Sequence, residues 1–309
     1  QRVVLPGGAG LVGQNLIVRL KARGYRTITV LDKHADNLAT LQELHPDVNA
    51  QRVDLAQPGP WQEYIRQADV LVLLQAQIGG HYREEFEQNN VTATRLMLQA
   101  IDAQRPPYVV HISSSVVESV ADDFYSSSKR EQEALVLASG LDCPVLRPTL
   151  MYGWFDRKHL GWLSRFMARM PVFPIPGRGR FMRQPLYVGD FCDIILSCIE
   201  QRRAGGVFNI SGRERIDYID MIREIRRATG ARSLLVHLPY GLFHLLLRVW
   251  GWFDRNPPFT TQQLEALVAD DDFEVIDWPT IFDVQATPFA QAVDETFNHP
   301  TYSKVVLEF

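Results

Sequence analysis

The chain has 309 residues, enough for one large α/β unit or two average domains, and 46% apolar against 22% charged residues leaves material for a real core. The formal charge is −4 with no basic block, which gives no footing for a nucleic-acid surface, and no apolar run reaches the 18 residues of a transmembrane helix. Cys143, Cys192 and Cys198 form no C-x-x-C pair and are odd in number, so neither a disulfide scaffold nor a structural zinc site is expected, and a reducing, cytoplasmic compartment fits.

The first residues, Val3, Val4 and Leu5, read as a strand that breaks at once into Pro6 and glycines, unlike a secretory leader. Pro6-Gly7-Gly8-Ala9-Gly10-Leu11-Val12-Gly13 then lies between that strand and a helix of residues 11–23. Gly7 allows the tight turn, Gly10 lets backbone approach a pyrophosphate, and Gly13 lets the helix lie close to the strand. The N–H groups opening the helix, at Leu11 and Val12, would face the phosphates. A second strand, 27–31, is followed by Asp32, 19 residues past Gly13. A carboxylate there accepts hydrogen bonds from both adenosine ribose hydroxyls and repels a 2′-phosphate, which points to NAD, with NADP the lesser option because Lys33 follows. Asp54 and Leu55 close a third run, 48–53, and are placed near the adenine, although Asp54 also reads as a plain turn acid.

Further β-branched runs at 70–74, 108–112 and 144–146 are separated by helical stretches such as 91–103. Runs apolar on both faces and divided by helices predict an α/β fold with a doubly wound parallel sheet. In the loop after the fourth run, His81 reads as a turn residue or one facing the pocket. Ser113-Ser114-Ser115 ends the fifth run, and Tyr125-Ser126-Ser127-Ser128-Lys129 opens the next helix. Tyr125 and Lys129, at i and i+4, share a helix face. An ammonium and a pyridinium beside a phenol both favour its phenolate, which lowers a pKa of about 10 towards neutrality. Such a phenolate can take a proton from a substrate hydroxyl while the carbon gives hydride to NAD, and a serine hydroxyl can bond the same oxygen.

After residue 150 the rhythm changes. Prolines and glycines crowd 171–179, a strand-like 184–188 and a helix over 190–201 follow, and Gly206–Ile210 is expected to rejoin the sheet. The expected organisation is a Rossmann domain, 1–150, completed by 184–211, interleaved with a smaller substrate domain, 151–183 and 212–309. Tyr240–Phe253 is apolar except for a stripe of His244 and Arg248, which suits core or subunit packing or a peripheral membrane contact. Asp270-Asp271-Asp272 reads as a solvated helix end, and the eight histidines show no metal-ligand spacing.

On these residues the chain resembles the extended short-chain dehydrogenase/reductase superfamily, specifically the NAD-dependent epimerase/dehydratase family typified by UDP-galactose 4-epimerases, over residues 2–215. Asn89-Asn90-Val91, Leu146-Arg147-Pro148-Thr149, the segment 183–190 and Gly206–Ile210 look like further landmarks. The resemblance implies Ser115 as the catalytic serine with Tyr125 and Lys129, Ala76 and Pro148 beside the cofactor, and Asn90 in the supporting network. It places Thr149 on the substrate and makes Arg183 the fork that grips a nucleotide-sugar diphosphate, with a surface ion pair as the alternative. Departures are clear as well. Ser115 and Tyr125 are only 10 residues apart, Leu150 replaces a frequent substrate-binding Asn, and Gln75-Ala76-Gln77 replaces a small Ala/Gly pair. Val116-Val117 occupies the slot of the dehydratases' Asp-Glu pair, with Glu118 one position late, so elimination lacks its acid and base.

The implied function is NAD-dependent epimerisation or oxidoreduction of a nucleotide sugar, with C4 epimerisation through a transient 4-keto sugar expected, in a homodimer by family analogy. Two other readings stand beside it. One is a non-catalytic NAD(P)-binding scaffold like atypical short-chain reductases, prompted by Pro257-Pro258-Phe259-Thr260-Thr261-Gln262-Gln263-Leu264. The other is an NAD(P)-dependent reductase of a non-sugar carbonyl.

Overall fold

In the computed structural model the described residues are 1–119, 123–253, 260–269 and 273–308. The strands of the first half are β1 (Arg2–Pro6), β2 (Thr27–Asp32), β3 (Asn49–Arg52), β4 (Val70–Leu73), β5 (Tyr108–Ile112) and β6 (Pro144–Pro148). The second half adds β7 (Met151–Tyr152), β8 (Val172–Pro176), β9 (Met182–Arg183), β10 (Leu186–Tyr187), β11 (Gly206–Ile210), β12 (Ile216–Asp217) and β13 (Leu234–Leu238). Seven of them form one parallel sheet in the order β11-β6-β5-β4-β1-β2-β3. The chain starts in the middle at β1, winds out to β3, and returns to β4 on the other side. Strand order therefore reverses between β1 and β4, and the crevice at their C-terminal ends is where such sheets hold ligands.

Alternation along the strands serves two cores. Val3, Leu5, Val30, Val70 and Val72 meet the helices Leu11–Ala22 and Val188–Gln201 on one face. Val4, Leu31, Leu71, Leu73 and Val109 meet Ile65, Met97 and Val136, which belong to the helices Gln62–Arg66, Ala93–Ala100 and Phe124–Ala138 on the other. The helix predicted over 91–103 begins earlier, at Arg83, passes through a π-helical stretch at Glu87–Thr92, and stops at Ala100, where Ile101 turns extended ahead of Pro106-Pro107. The expected strand at 184–188 shrinks to Leu186–Tyr187 and pairs with β7 outside the main sheet. Pro185 has no N–H to give a ladder, and the helix already starts at Val188.

A third core forms where the helices Leu160–Arg169, Tyr218–Thr229 and Phe289–Asn298 enclose Phe173, Ile175, Ile222, Ile225 and Val293. The helix Trp278–Phe282 instead joins the first core, with Phe282 edge-on to Phe208 of β11 at 5.1 Å between ring centroids. Residues after 212 thus feed both layers. All three cysteines are buried as free thiols. Asp270–Asp272 and residues 257–259 of the Pro-Pro-Phe motif lie outside the described residues.

Candidate active site

At the reversal point Gly7 adopts φ +76° and donates its N–H to Leu31 O at 2.8 Å. A Cβ on Gly7 would stand 2.5 Å from the backbone of Gln75, and one on Gly13 would stand 2.2 Å from Gly8 O. On Gly10 it would meet only Gly7 O, at 3.5 Å, because that position opens onto the crevice. The helix Leu11–Ala22 starts here with no side-chain cap, which leaves its first amides for an anion. Gly13→Ala is expected to cost about 1–3 kcal/mol by overpacking. A lower melting midpoint and a weaker upward shift on adding NAD would register it.

A cavity of about 600 Å³ opens in front of this turn. Gly7, Gly10, Leu11, Val12, Gly13, Asp32, Asp54, Leu55 and Ala76 all line it. Asp32 is buried and accepts the N–H groups of Ala9 and His34, both at 3.1 Å, so its carboxylate is aimed by the loop it serves. Asp54 accepts Ala56 N–H at 2.9 Å, a turn role held alongside its place in the cavity wall. Lys33 donates to Asn89 Oδ1 at 2.9 Å. The far rim is a loop the sequence offered no motif for. The Asp156 carboxylate gathers the N–H groups of Lys158, His159 and Gly161 at 2.9–3.0 Å, so residues 156–159 face the glycine turn. His81 is exposed and is absent from that lining; its N–H goes to Glu85.

Ser115, Tyr125, Lys129, Pro148, Thr149 and Arg183 are not part of this cavity's wall. Tyr125 is half-buried, and the side chain that acts on its hydroxyl is Ser114, the serine before the expected one; Ser115 opens a short 3₁₀ turn, Ser115–Glu118. Lys129 is 1% exposed, and its Nζ donates to Gln132 Oε1 at 2.5 Å and Ile112 O at 3.2 Å. Burial pushes this lysine down to about 7, with Glu133 opposing the shift. The expected lowering of the phenol is not found without a bound pyridinium. Burial raises Tyr125, and Ser114 opposes this only in part, because the ammonium points to Gln132 and the strand rather than to the phenol. Pro148 ends β6 opposite Ile210, and Thr149 is buried with its Oγ1 unpaired among the described residues. Arg183, on β9, donates to the carbonyl of Leu267 in the helix Thr261–Val268.

Behind these groups runs a buried polar network, in which the resemblance had given a supporting role to Asn90 alone. Asn90 accepts Gln77 N–H at 2.6 Å and donates to Ser128 Oγ at 2.9 Å. Gln132 donates to Thr94 Oγ1 at 3.0 Å and Gln75 O at 3.3 Å, and Gln75 returns a bond to Thr94 at 2.9 Å. Lys129 is thereby tied to the same Gln75 backbone that packs on Gly7. Glu133 takes Ser113 Oγ and the Arg147 guanidinium, and Arg147 also pairs with Glu118 at 2.6 Å. His111, fully buried with both ring nitrogens unpaired among the described residues, is held well below its usual pKa by burial and by Lys129.

Together the fold and the crevice define a dinucleotide-binding α/β enzyme. The sequence pattern of the NAD dependent epimerase/dehydratase family matches residues 3–211, and the chain belongs to that family, within the extended short-chain dehydrogenase/reductases. It is 27% identical over 275 residues to a dTDP-glucose 4,6-dehydratase of Streptomyces niveus, covering 77% of this chain and 81% of that one. With a UDP-glucose 4-epimerase of Vibrio cholerae the identity is 24% over 283 residues, with 82% and 83% covered. Among solved structures, a Bacillus cereus UDP-glucuronic acid 4-epimerase in complex with NAD superposes with TM-score 0.75 at 18% identity, covering 97% and 98% of the two chains. The glycine cradle, the aimed Asp32 and the cavity between them fit the NAD that defines the family.

Proposed function

We propose that the protein is an NAD-dependent nucleotide-sugar epimerase that inverts C4 through a 4-keto sugar. The observation that carries this choice is at the end of β5. Val116 and Val117 offer no acid or base, and the next carboxylate, Glu118, is taken up by Arg147 at 2.6 Å and Asn209 at 3.1–3.2 Å. Elimination of water from a sugar needs a free acid and base there; inversion of a carbinol carbon does not. Bound NAD supplies the acceptor and donor of hydride. Tyr125 Oη takes the proton from the substrate hydroxyl, and the serines at 114 and 115 hold the same oxygen. Thr149 Oγ1, without a partner among the described residues, offers the sugar a hydrogen bond, and Arg183 is assigned to the diphosphate, for which its fork must leave Leu267 O. Asp32 supports NAD over NADP.

Incubating the enzyme and NAD with a panel of UDP-, dTDP- and GDP-hexoses, read by NMR, is expected to give the C4 epimer of one of them. If none is epimerised, oxidised or bound, the proposal fails.

A further inference from the structure

The helix Tyr240–Phe253 turns an apolar stripe outward. Leu242, Leu245, Leu246, Val249 and Trp250 follow the i, i+3, i+4, i+7, i+8 spacing of one face, and all are exposed, Leu245 by 55% and Trp250 by 51%. Trp252 extends the stripe at 75% exposed, whereas Phe243 faces the protein and is buried. The strand leading into this helix, β13, exposes Leu234 by 66% as well as Val236, and Val172, Leu234's partner on β8, is also exposed. So much wet apolar surface in one region runs against the hydrophobic effect unless something covers it.

The surrounding charge says what that is. Residues 160–189 and 230–253 hold seven arginines and no aspartate or glutamate, in a chain whose net charge is −4. Four of the seven, Arg169, Arg178, Arg232 and Arg248, are exposed and have no ion pair among the described residues. Glu265, from the helix Thr261–Val268, stands 3.7 Å from His244, on the side away from the stripe. A second copy of the chain would set these arginines against their own kind, which is costly. A bilayer carrying anionic lipid matches both features: leucines and tryptophans enter the headgroup boundary while guanidinium groups meet lipid phosphates. With 14 residues the helix is too short to cross, and no helix of the described residues is long and apolar enough to do so.

We propose that the face built by Tyr240–Phe253, together with its flanking arginines, seats the protein on an anionic membrane surface. The test is co-sedimentation of the full chain with vesicles of phosphatidylcholine alone and of phosphatidylcholine with phosphatidylglycerol. Pelleting with the anionic vesicles, weakening as salt rises, is expected. Leu246→Glu/Trp250→Glu is expected to cut binding at least about tenfold, and Arg232→Ala and Arg248→Ala about fivefold each, with the melting midpoint and NAD binding unchanged. Bromolipid quenching of the wild-type tryptophans gives a reading that needs no variant. The proposal is overturned by no pelleting, by equal pelleting on neutral vesicles, by absent quenching, or by a dimer that Leu246→Glu splits while vesicles bind neither form.

Discussion

Tyr125→Phe is expected to lower turnover by about 10²–10⁴-fold while leaving NAD affinity within a factor of a few. The substitution removes one oxygen and nothing else. The helix Phe124–Ala138, its Asp123 cap on Ser126 N–H, the Lys129 contacts and the glycine turn all stay in place. What is lost is the group that takes the substrate proton. Burial raises the phenol in the absence of cofactor, so the rate should climb with pH as the phenolate fills, and bound NAD should move that climb to lower pH. Turnover on the substrate found by the panel, with NAD binding by titration, checks both halves. A variant as active as wild type would remove the acid–base role and favour the scaffold reading.

The phosphate turn could be read from the sequence because it is local: strand, glycines and helix are contiguous, and Gly7 and Gly13 are glycines for reasons of backbone contact within 70 residues. The parallel sheet was legible because Val3–Leu5 and Val70–Leu73 are apolar on both faces. The three serines were not separable in the same way. Ser113 donates to Glu133 and Ser114 lies nearest the Tyr125 phenol because of a helix that starts ten or more residues later, and nothing in a run of identical residues announces which will face it. Gln132 is a similar case. Three residues past Lys129 it looks like any surface helix position, yet it is fully buried because the Gln75 and Thr94 segments close over it. The rim at residues 156–159 and the helix Trp278–Phe282 depend wholly on tertiary placement, so their short, mixed sequences carry no period to detect.

Lys129→Met is expected to abolish measurable turnover and to change the pH dependence of stability in a defined direction. In the fold this lysine titrates at about 7, against 10.5 for the free side chain, because burial penalises its charge. Below pH 7 both folded and unfolded chains carry the proton, and the fold bears the whole penalty. Between pH 7 and 10.5 the unfolded chain binds more protons than the folded one, so stability rises with pH across that window. Methionine removes the titration. The variant's melting midpoint relative to wild type should therefore be highest at or below pH 7 and fall steadily towards pH 9.5. Loss of the donor to Gln132 Oε1 and Ile112 O adds an offset that does not depend on pH. His111, held well below 6.5, titrates outside this range, and the Glu133 carboxyl, lowered overall because Arg147 and Ser113 outweigh its burial, stays ionised throughout it. Melts of both proteins at pH 7, 8 and 9.5 decide the matter. A difference that stays flat would mean that the Lys129 ammonium keeps its proton in the fold, and the phenol at Tyr125 would then have a full positive charge within its own helix turn at every working pH.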